Sequence, residues 1–268
     1  MPDLKKLPPL TGVAAEQAMQ RLTRRSFVTG GVAALAGFGG WRWLATASPE
    51  DGLPWPLRRA LGFNQRLGES LFSSSRLAPT VPDASVRGPA RTNGLIGLDG
   101  DVDSAGWQIR IQHTGRGERA LRLQDVQALP RINLVTELKC VEGWSEVMHF
   151  GGVSFRDFVT QFVLATKSGR APDPEGNPRD LYRYVYLATP NEEYYVGLDM
   201  ASALHPQTLL CDIMNWQPLT RQHGAPLRLY LPVKYGFKSL KRISLIRFQD
   251  ERPADYWAEQ GYDWYAGL

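Results

Sequence analysis

The period of the apolar positions changes several times along the chain, and each change marks an element. In "WQIRIQHTG" Trp107, Ile109 and Ile111 alternate with polar residues, the two-residue period of a half-buried strand. "LRLQDVQALP" runs from a strand edge into a short helix that Pro130 stops. "RINLVTELKC" is β-rich and delivers Cys140 at a strand end. In "GGVSFRDFVTQFVLAT" the spacing turns helical: Phe155, Phe158, Val159 and Phe162 recur every three or four residues, with Asp157 near the start. "SGRAPDPEGNPRD" is a loop dense in Pro and Gly. "YRYVYLAT" then reads as a strand, and "YYVGLDMASALHP" as a strand entering a short helix. "TLLCDIMNW", "LRLYLPVKYGF" and "SLKRISLIRFQ" read as further strands. Many strands and few short helices in mixed order predict an α+β fold rather than a doubly wound sheet. No internal repeat is visible.

The N-terminal part follows another pattern. "LTRRSFVTGGVAALAGFGG" places Arg24 and Arg25 ahead of Phe27 and an apolar run rich in Gly and Ala, and Ala45 and Ala47 are small residues suited to a signal peptidase. The order of features predicts a twin-arginine export signal over residues 1–47, in preference to an amphipathic or buried helix. Phe27 to Leu44 is about long enough to span a bilayer, so an uncleaved signal would act as an anchor, weakened by its glycines and by Arg42 between Trp41 and Trp43. Residues 48–90, rich in Pro, Ser and Gly with an amphipathic patch at Leu57 to Leu71, are expected to form an extended arm with one helix. They hold too few apolar residues for a core of their own. Residues 91–268 are left as the main domain.

Charge and cysteine content narrow the chemistry. The net charge of +4 would suggest an anionic partner, but residues 1–47 hold six bases and two acids, which leaves 25 of each in the remainder. No nucleic-acid footprint survives that division. With 268 residues and 43% hydrophobic content, the chain can bury a substantial core. Its two cysteines, Cys140 and Cys211, exclude a CxxC pair and a four-cysteine zinc site.

Most local motifs fail on inspection. Asp99, Asp101 and Asp103 imitate the start of a calcium loop, but Ser104 stands at the glycine position and Arg110 at the bidentate one, so the stretch is read as a solvated turn. The histidines, His113, His149, His205 and His223, form no HxxxH pair, and GxSxG, GxGxxG and Walker loops are absent from the sequence. The segment from Gln222 to Ile243 interleaves Arg228, Lys234, Lys238, Lys241 and Arg242 with apolar residues and has Gly224 and Gly236 for close backbone approach. It suits a phosphate-bearing ligand and equally a solvated basic sheet face. Cys140 is a small buried hydrophobe, a nucleophile served by a nearby base, or a single thiolate ligand to a soft metal carried by another molecule.

Taken together, several ordered stretches resemble the sulfite oxidase-fold molybdopterin oxidoreductases, and within them the periplasmic protein-methionine-sulfoxide reductases. The stretches are Trp107 to Ile111, "CVEGWS" at Cys140 to Ser145, "LHPQTLL" at Leu204 to Leu210, "HGAPLRL" at His223 to Leu229, "PVKYGFKSLKRI" ending at Ile243, and "ERPADYW" at Glu251 to Trp257. The resemblance implies a sulfite oxidase-type molybdopterin-binding fold and a molybdenum–molybdopterin cofactor with Cys140 as the protein's ligand to the metal. It implies cofactor contacts from Asn64, Leu67 and Gly68 in the arm, from Thr189, from His223, and from Arg228, Ser239, Leu240 and Lys241 around the pterin and its phosphate. Glu142 and Trp144 would line the approach to the metal.

The activity implied is oxygen-atom transfer at molybdenum. Where sulfite oxidases carry an arginine-bearing run after the cysteine, this chain has Glu142, Gly143, Trp144 and Ser145, and a carboxylate there would repel sulfite. A neutral sulfoxide such as free or protein-bound methionine sulfoxide is therefore the expected substrate, with electrons from a membrane haem protein. Two rivals stand beside it: oxidation of sulfite or a similar anion with a cytochrome acceptor, and a cofactor-free periplasmic binding or assembly protein that keeps the fold. The "FNQRLGES" arm lacks the aromatic-Glu pair of the family.

Overall fold

A computed structural model describes residues 12–50, 52–115 and 117–268, without the side chains of 13–24. Part of the expected twin-arginine signal, Arg24 included, therefore lies outside the described side chains. The chain divides into two compact units, residues 1–58 and 59–268. The first contains helix α1 (Val13–Thr46) and a short hairpin of β1 (Pro49–Glu50) and β2 (Leu53–Pro54). Along α1, Phe27, Leu35, Phe38 and Trp41 are exposed, and Trp43 meets Trp55 edge-on at 5.5 Å. Among the described residues no helix is long and apolar enough to cross a membrane.

Helix α2 (Trp55–Leu71) crosses the division between the units, and the rest of the second unit is built on two five-stranded sheets. Its elements in chain order are β3 (Gln108–His113), β4 (Gly117–Arg122), α3 (Leu123–Gln127), β5 (Arg131–Lys139), β6 (Ser145–Ser154), α4 (Phe155–Gln161), β7 (Tyr184–Ala188), β8 (Tyr195–Asp199), α5 (Met200–Ala203), β9 (Leu209–Met214), β10 (Gln217–Pro218), β11 (Arg228–Tyr230), β12 (Leu245–Gln249) and α6 (Tyr256–Glu259). One sheet runs β10-β9-β6-β5, with β11 also pairing β9; the other runs β4-β3-β12-β7-β8. Only the β12–β3 pair is parallel in these two sheets. The mixed sheets with short helices make the fold α+β.

The largest buried cluster joins β3, β7, β8 and β12 to α4, whose Phe155, Phe158 and Val159 are fully buried. Ser154 caps this helix by accepting the Asp157 amide, which explains why the helical period begins at Phe155 and not at Gly151. Gly151 and Gly152 belong to β6, at an irregularity where it pairs β9. A Cβ on Gly152 would lie 2.1 Å from the Leu210 carbonyl, so only glycine fits.

Two strand expectations change. Of "LRLYLPVKYGF" only Arg228–Tyr230 is strand, and of "SLKRISLIRFQ" only Leu245–Gln249. Residues 231–244 instead form an irregular excursion. Pro232 lacks an amide to donate, Arg242 takes a φ of 52°, and Lys238 turns inward to a buried ion pair with Asp255 at 2.6 Å. This excursion supplies one wall of the site described next.

Candidate active site

Cys140 opens the tip of the β5–β6 hairpin. Its amide donates to the Trp144 carbonyl at 2.9 Å, the Gly143 amide donates back to the Cys140 carbonyl at 3.2 Å, and Gly143 takes a φ of 86° that closes the turn. The tip faces a cleft of about 170 Å³, room for roughly 11 to 17 waters at the ~10–15 Å³ each requires. The sequence-expected residues Cys140, Glu142, Trp144, His223, Arg228, Ser239 and Lys241 all line it. They reach it from the hairpin, from the turn before β11, from β11 itself and from the 231–244 excursion.

Five expected residues are not brought to this cleft. Asn64 and Leu67 are exposed on α2, and Gly68 packs against the Tyr265 ring instead. Leu240 is fully buried in the main core. Thr189 is buried too; its hydroxyl bonds the backbone of Tyr194 at 3.0 and 3.2 Å, so it stands behind a cleft residue, Tyr194, rather than in the cleft.

The asparagine at the cysteine is Asn93, not Asn64. Its Nδ2 lies 4.0 Å from Cys140 Sγ. Arg91, Gly94, Met148, Met214, Phe237, Trp257 and Tyr262 complete much of the lining. The only sequence cue to Asn93 was its place before Gly94, which takes a φ of 68° and so punctuates an irregular segment. Trp257 closes the "ERPADYW" stretch, which carries no chemical signature of its own.

The mouth carries a stack of three side chains. Trp144 Nε1 donates to Glu142 Oε2 at 2.9 Å, and the Arg91 guanidinium sits 4.5 Å from the centre of the Trp144 ring. A cation stands beside the carboxylate here after all: Arg91 supplies one from a segment distant in sequence, where no local motif could show it.

Cys140 is half-buried, and burial pushes its thiol above the ordinary range, with the Glu142 carboxylate adding to the rise and Arg91 opposing it. The chain by itself therefore holds a thiol; a coordinated cation would be needed to keep the thiolate. Cys211 is fully buried in the second core cluster, and burial raises its thiol further, as for a structural cysteine.

Arg228, also in the cleft lining, is 4% exposed and has no carboxylate partner among the described residues. It donates to the carbonyls of His223 at 3.1 Å, Ser239 at 3.4 Å and Leu229 at 3.5 Å, and lies 3.9 Å from Met214 Sδ. Burial lowers its affinity for a proton, the expected response of an uncompensated buried cation. The Ser239 hydroxyl is buried without a hydrogen-bond partner. His223 is pushed down to about 4, by burial first and then by the Lys241 and Arg228 charges. A buried guanidinium, an unsatisfied hydroxyl and a neutral imidazole lining the cleft fit the phosphate of a pterin, and Cys140 in the same lining fits a soft metal.

Comparison with known proteins places this arrangement. Residues 97–257, more than half of the chain, match the oxidoreductase molybdopterin-binding domain family, and the chain belongs to that family. It is an oxidoreductase whose cofactor is a molybdopterin. A chain of Azospira oryzae named for a protein-methionine-sulfoxide reductase subunit, YedZ1, is 30% identical over 252 residues, 93% of this chain and 88% of that one. The protein-methionine-sulfoxide reductase catalytic subunit MsrP of Xanthomonas axonopodis pv. citri is 39% identical over 157 residues, 56% of this chain and 47% of that protein. The chain thus spans about half the length of that MsrP relative. The sulfane dehydrogenase SoxCD of Paracoccus pantotrophus aligns with a TM-score of 0.46 and 14% identity over 67% of this chain and 46% of its own, a likeness too low to bear on activity.

Proposed function

We propose that the protein is a molybdenum-dependent oxidoreductase that reduces sulfoxides, methionine sulfoxide among them, in the periplasm after twin-arginine export, with electrons drawn from a membrane haem protein. The observation that carries this reading is Cys140 at a hairpin tip, lining a cleft that is also lined by the buried Arg228 and Ser239. Cys140 would be the protein's ligand to molybdenum, and Arg228 with Ser239 would hold the pterin phosphate. When bound, the group supplies a two-electron couple and exchange of an oxygen atom with a sulfur centre.

The chain's own part is to orient and to exclude. Glu142, fixed by the Trp144 indole, places a carboxylate at the mouth and disfavours an anionic substrate. Trp144, Phe237, Trp257 and Tyr262 give the cleft an aromatic wall suited to the apolar arms of a sulfoxide. Support for the substrate comes from the names of the MsrP and YedZ1 relatives. One observation favours a second reading, sulfite oxidation with a cytochrome acceptor: the Arg91 guanidinium at the mouth offsets Glu142.

Steady-state assays of the purified protein decide between them, one with sulfite and an oxidised acceptor, the other with methionine sulfoxide and a reduced dye. Sulfoxide turnover is expected to dominate; strong sulfite turnover would reverse the choice. Elemental analysis tests the enzyme reading itself, which fails if protein made with cofactor supply carries much less than about one molybdenum per chain. Cys140→Ser is expected to abolish activity and weaken metal retention, whereas Cys211→Ala spares both.

A further inference from the structure

Lys241 was expected among the phosphate contacts, yet its ammonium is already committed. Its Nζ donates to the carbonyls of Asn93 at 2.6 Å, Gly94 at 2.9 Å and Gln222 at 2.8 Å. An ammonium has three N–H donors, and three backbone acceptors use them all. Two of those acceptors lie in a segment, residues 88–98, that pairs with no strand among the described residues and lines the cleft through Arg91, Asn93, Gly94 and Ile96.

From Ala90 to Asn93, successive residues of that segment line different spaces. Arg91 and Asn93 line the cleft with Cys140, while Ala90 and Thr92 line a second cavity on the other side, which shares Met214 and His223 with the first. The segment is therefore a strap between two spaces. Residues 91–96 are exposed, and burial begins again only at Gly97 and Leu98. Side chains elsewhere in the unit fasten it. Glu146 accepts the Arg91 amide at 3.1 Å, Thr92 Oγ1 donates to Gln222 Oε1 at 3.2 Å, and Arg221 Nε donates to the Leu98 carbonyl at 3.0 Å. At Asn93 and Gly94, where the strap passes the cysteine, Lys241 is the clasp.

We propose that Lys241 is a positioning residue: it clasps the 88–98 strap at the cleft and so sets Asn93 against Cys140, while the anion of the cofactor is met by Arg228 and Ser239. The clasp stands on geometry alone; what Asn93 is positioned for rests on the proposed role of Cys140 as metal ligand. Gly224 adds to the case, because a Cβ there would lie 2.7 Å from Lys241 Cβ, so the chain keeps the base of this side chain closely packed.

Limited trypsin digestion of the purified full-length protein, mapped by mass, tests the proposal. The bond after Arg91 lies in the strap, and the bond after Arg170, in the exposed loop before β7, serves as the internal control. Cleavage of a transiently opened segment follows its open population, so loss of charge-assisted bonds should be read directly. Lys241→Met is expected to raise cleavage after Arg91 by roughly tenfold or more relative to Arg170, and Lys241→Arg to restore it. Cofactor-loaded protein adds a second readout: the visible absorption of the thiolate-bound metal shifts in Lys241→Met in the same sense as in Asn93→Ala. Unchanged cleavage after Arg91 in Lys241→Met overturns the proposal, and if cofactor is lost at the same time Lys241 is a phosphate ligand instead. Lys241→Gln faces the same criterion where the methionine variant does not fold. Neither digestion result depends on sulfoxide turnover, so failure of the proposed activity is told apart from failure of the clasp.

Discussion

Replacement of Lys238 by methionine should destabilise the second unit more than any surface change near the cleft. Lys238 and Asp255 are both fully buried in their side chains and meet at 2.6 Å; Lys238 also donates to the Gly197 carbonyl at 2.9 Å and faces the Trp264 ring at 4.7 Å. Without the ammonium, Asp255 keeps the Gly197 and Ala258 amides, both at 3.1 Å, but its charge is left in a dry interior. Removing one partner of such a pair costs about 3–5 kcal/mol. In a unit of this size each kcal/mol moves the midpoint by roughly 2–4 °C, so a fall of roughly 6–20 °C is expected. Replacing both partners, Lys238→Met with Asp255→Leu, should recover most of the loss, because apolar pairs of similar volume match buried ion pairs. Thermal and urea unfolding of the two single variants and the double variant measures the coupling. Additive effects, or a single-variant cost under about 1 kcal/mol, would refute the claim that this pair fixes the 231–244 excursion. The same change should loosen Phe237 and Ser239 in the cleft, since the Tyr194 hydroxyl holds the Phe237 carbonyl at 2.5 Å and Lys238 lies between the two.

Three other outcomes follow from the structure. Arg228→Met should weaken cofactor retention by about tenfold or more and also cost the cofactor-free protein about 1–3 kcal/mol, since it leaves the His223, Ser239 and Leu229 carbonyls without this donor; unfolding midpoints and metal content on one preparation read both effects, and unchanged cofactor retention would count against the assignment. His223 has a folded value of about 4 against an ordinary 6.5. The unfolded chain therefore takes up the proton first as pH falls, and stability from this group is full above 6.5, declines between 6.5 and 4 and is gone below about 4. Urea midpoints of cofactor-free protein across that window should show the decline, and His223→Gln should lessen it, leaving the share of His149 and His205, which burial also pushes down. Gly152→Ala should cost about 2 kcal/mol or more, because the new methyl meets the Leu210 carbonyl and Cys211 Cα across the β6–β9 pair; an unfolding free energy unchanged from the parent would mean that the pair can open at no cost.

By itself the sequence determined the strand-rich α+β order, the placement of Cys140 at a strand end, the helix beginning near Phe155, and the family. These are local matters, since a period of two or of three to four residues and an ordered set of short motifs are visible without knowing what touches what. The sequence also named seven residues of the cleft, all within motifs that carry their own signature. What only the tertiary structure decided depends on contacts across the chain. Asn93 and Arg91 reach the cysteine from a strap with no period, held by Lys241 from nearly 150 positions away, so Asn64 on an exposed helix was a plausible but misplaced substitute. Leu240 sits inside a sequence stretch that reaches the cleft yet points into packed interior, because neighbours in an irregular segment need not share a face, and Thr189 is buried at the end of β7, bonded to the backbone of Tyr194. Lys241 carries the charge a phosphate would want, and only the three carbonyls around it reveal that the charge is already engaged.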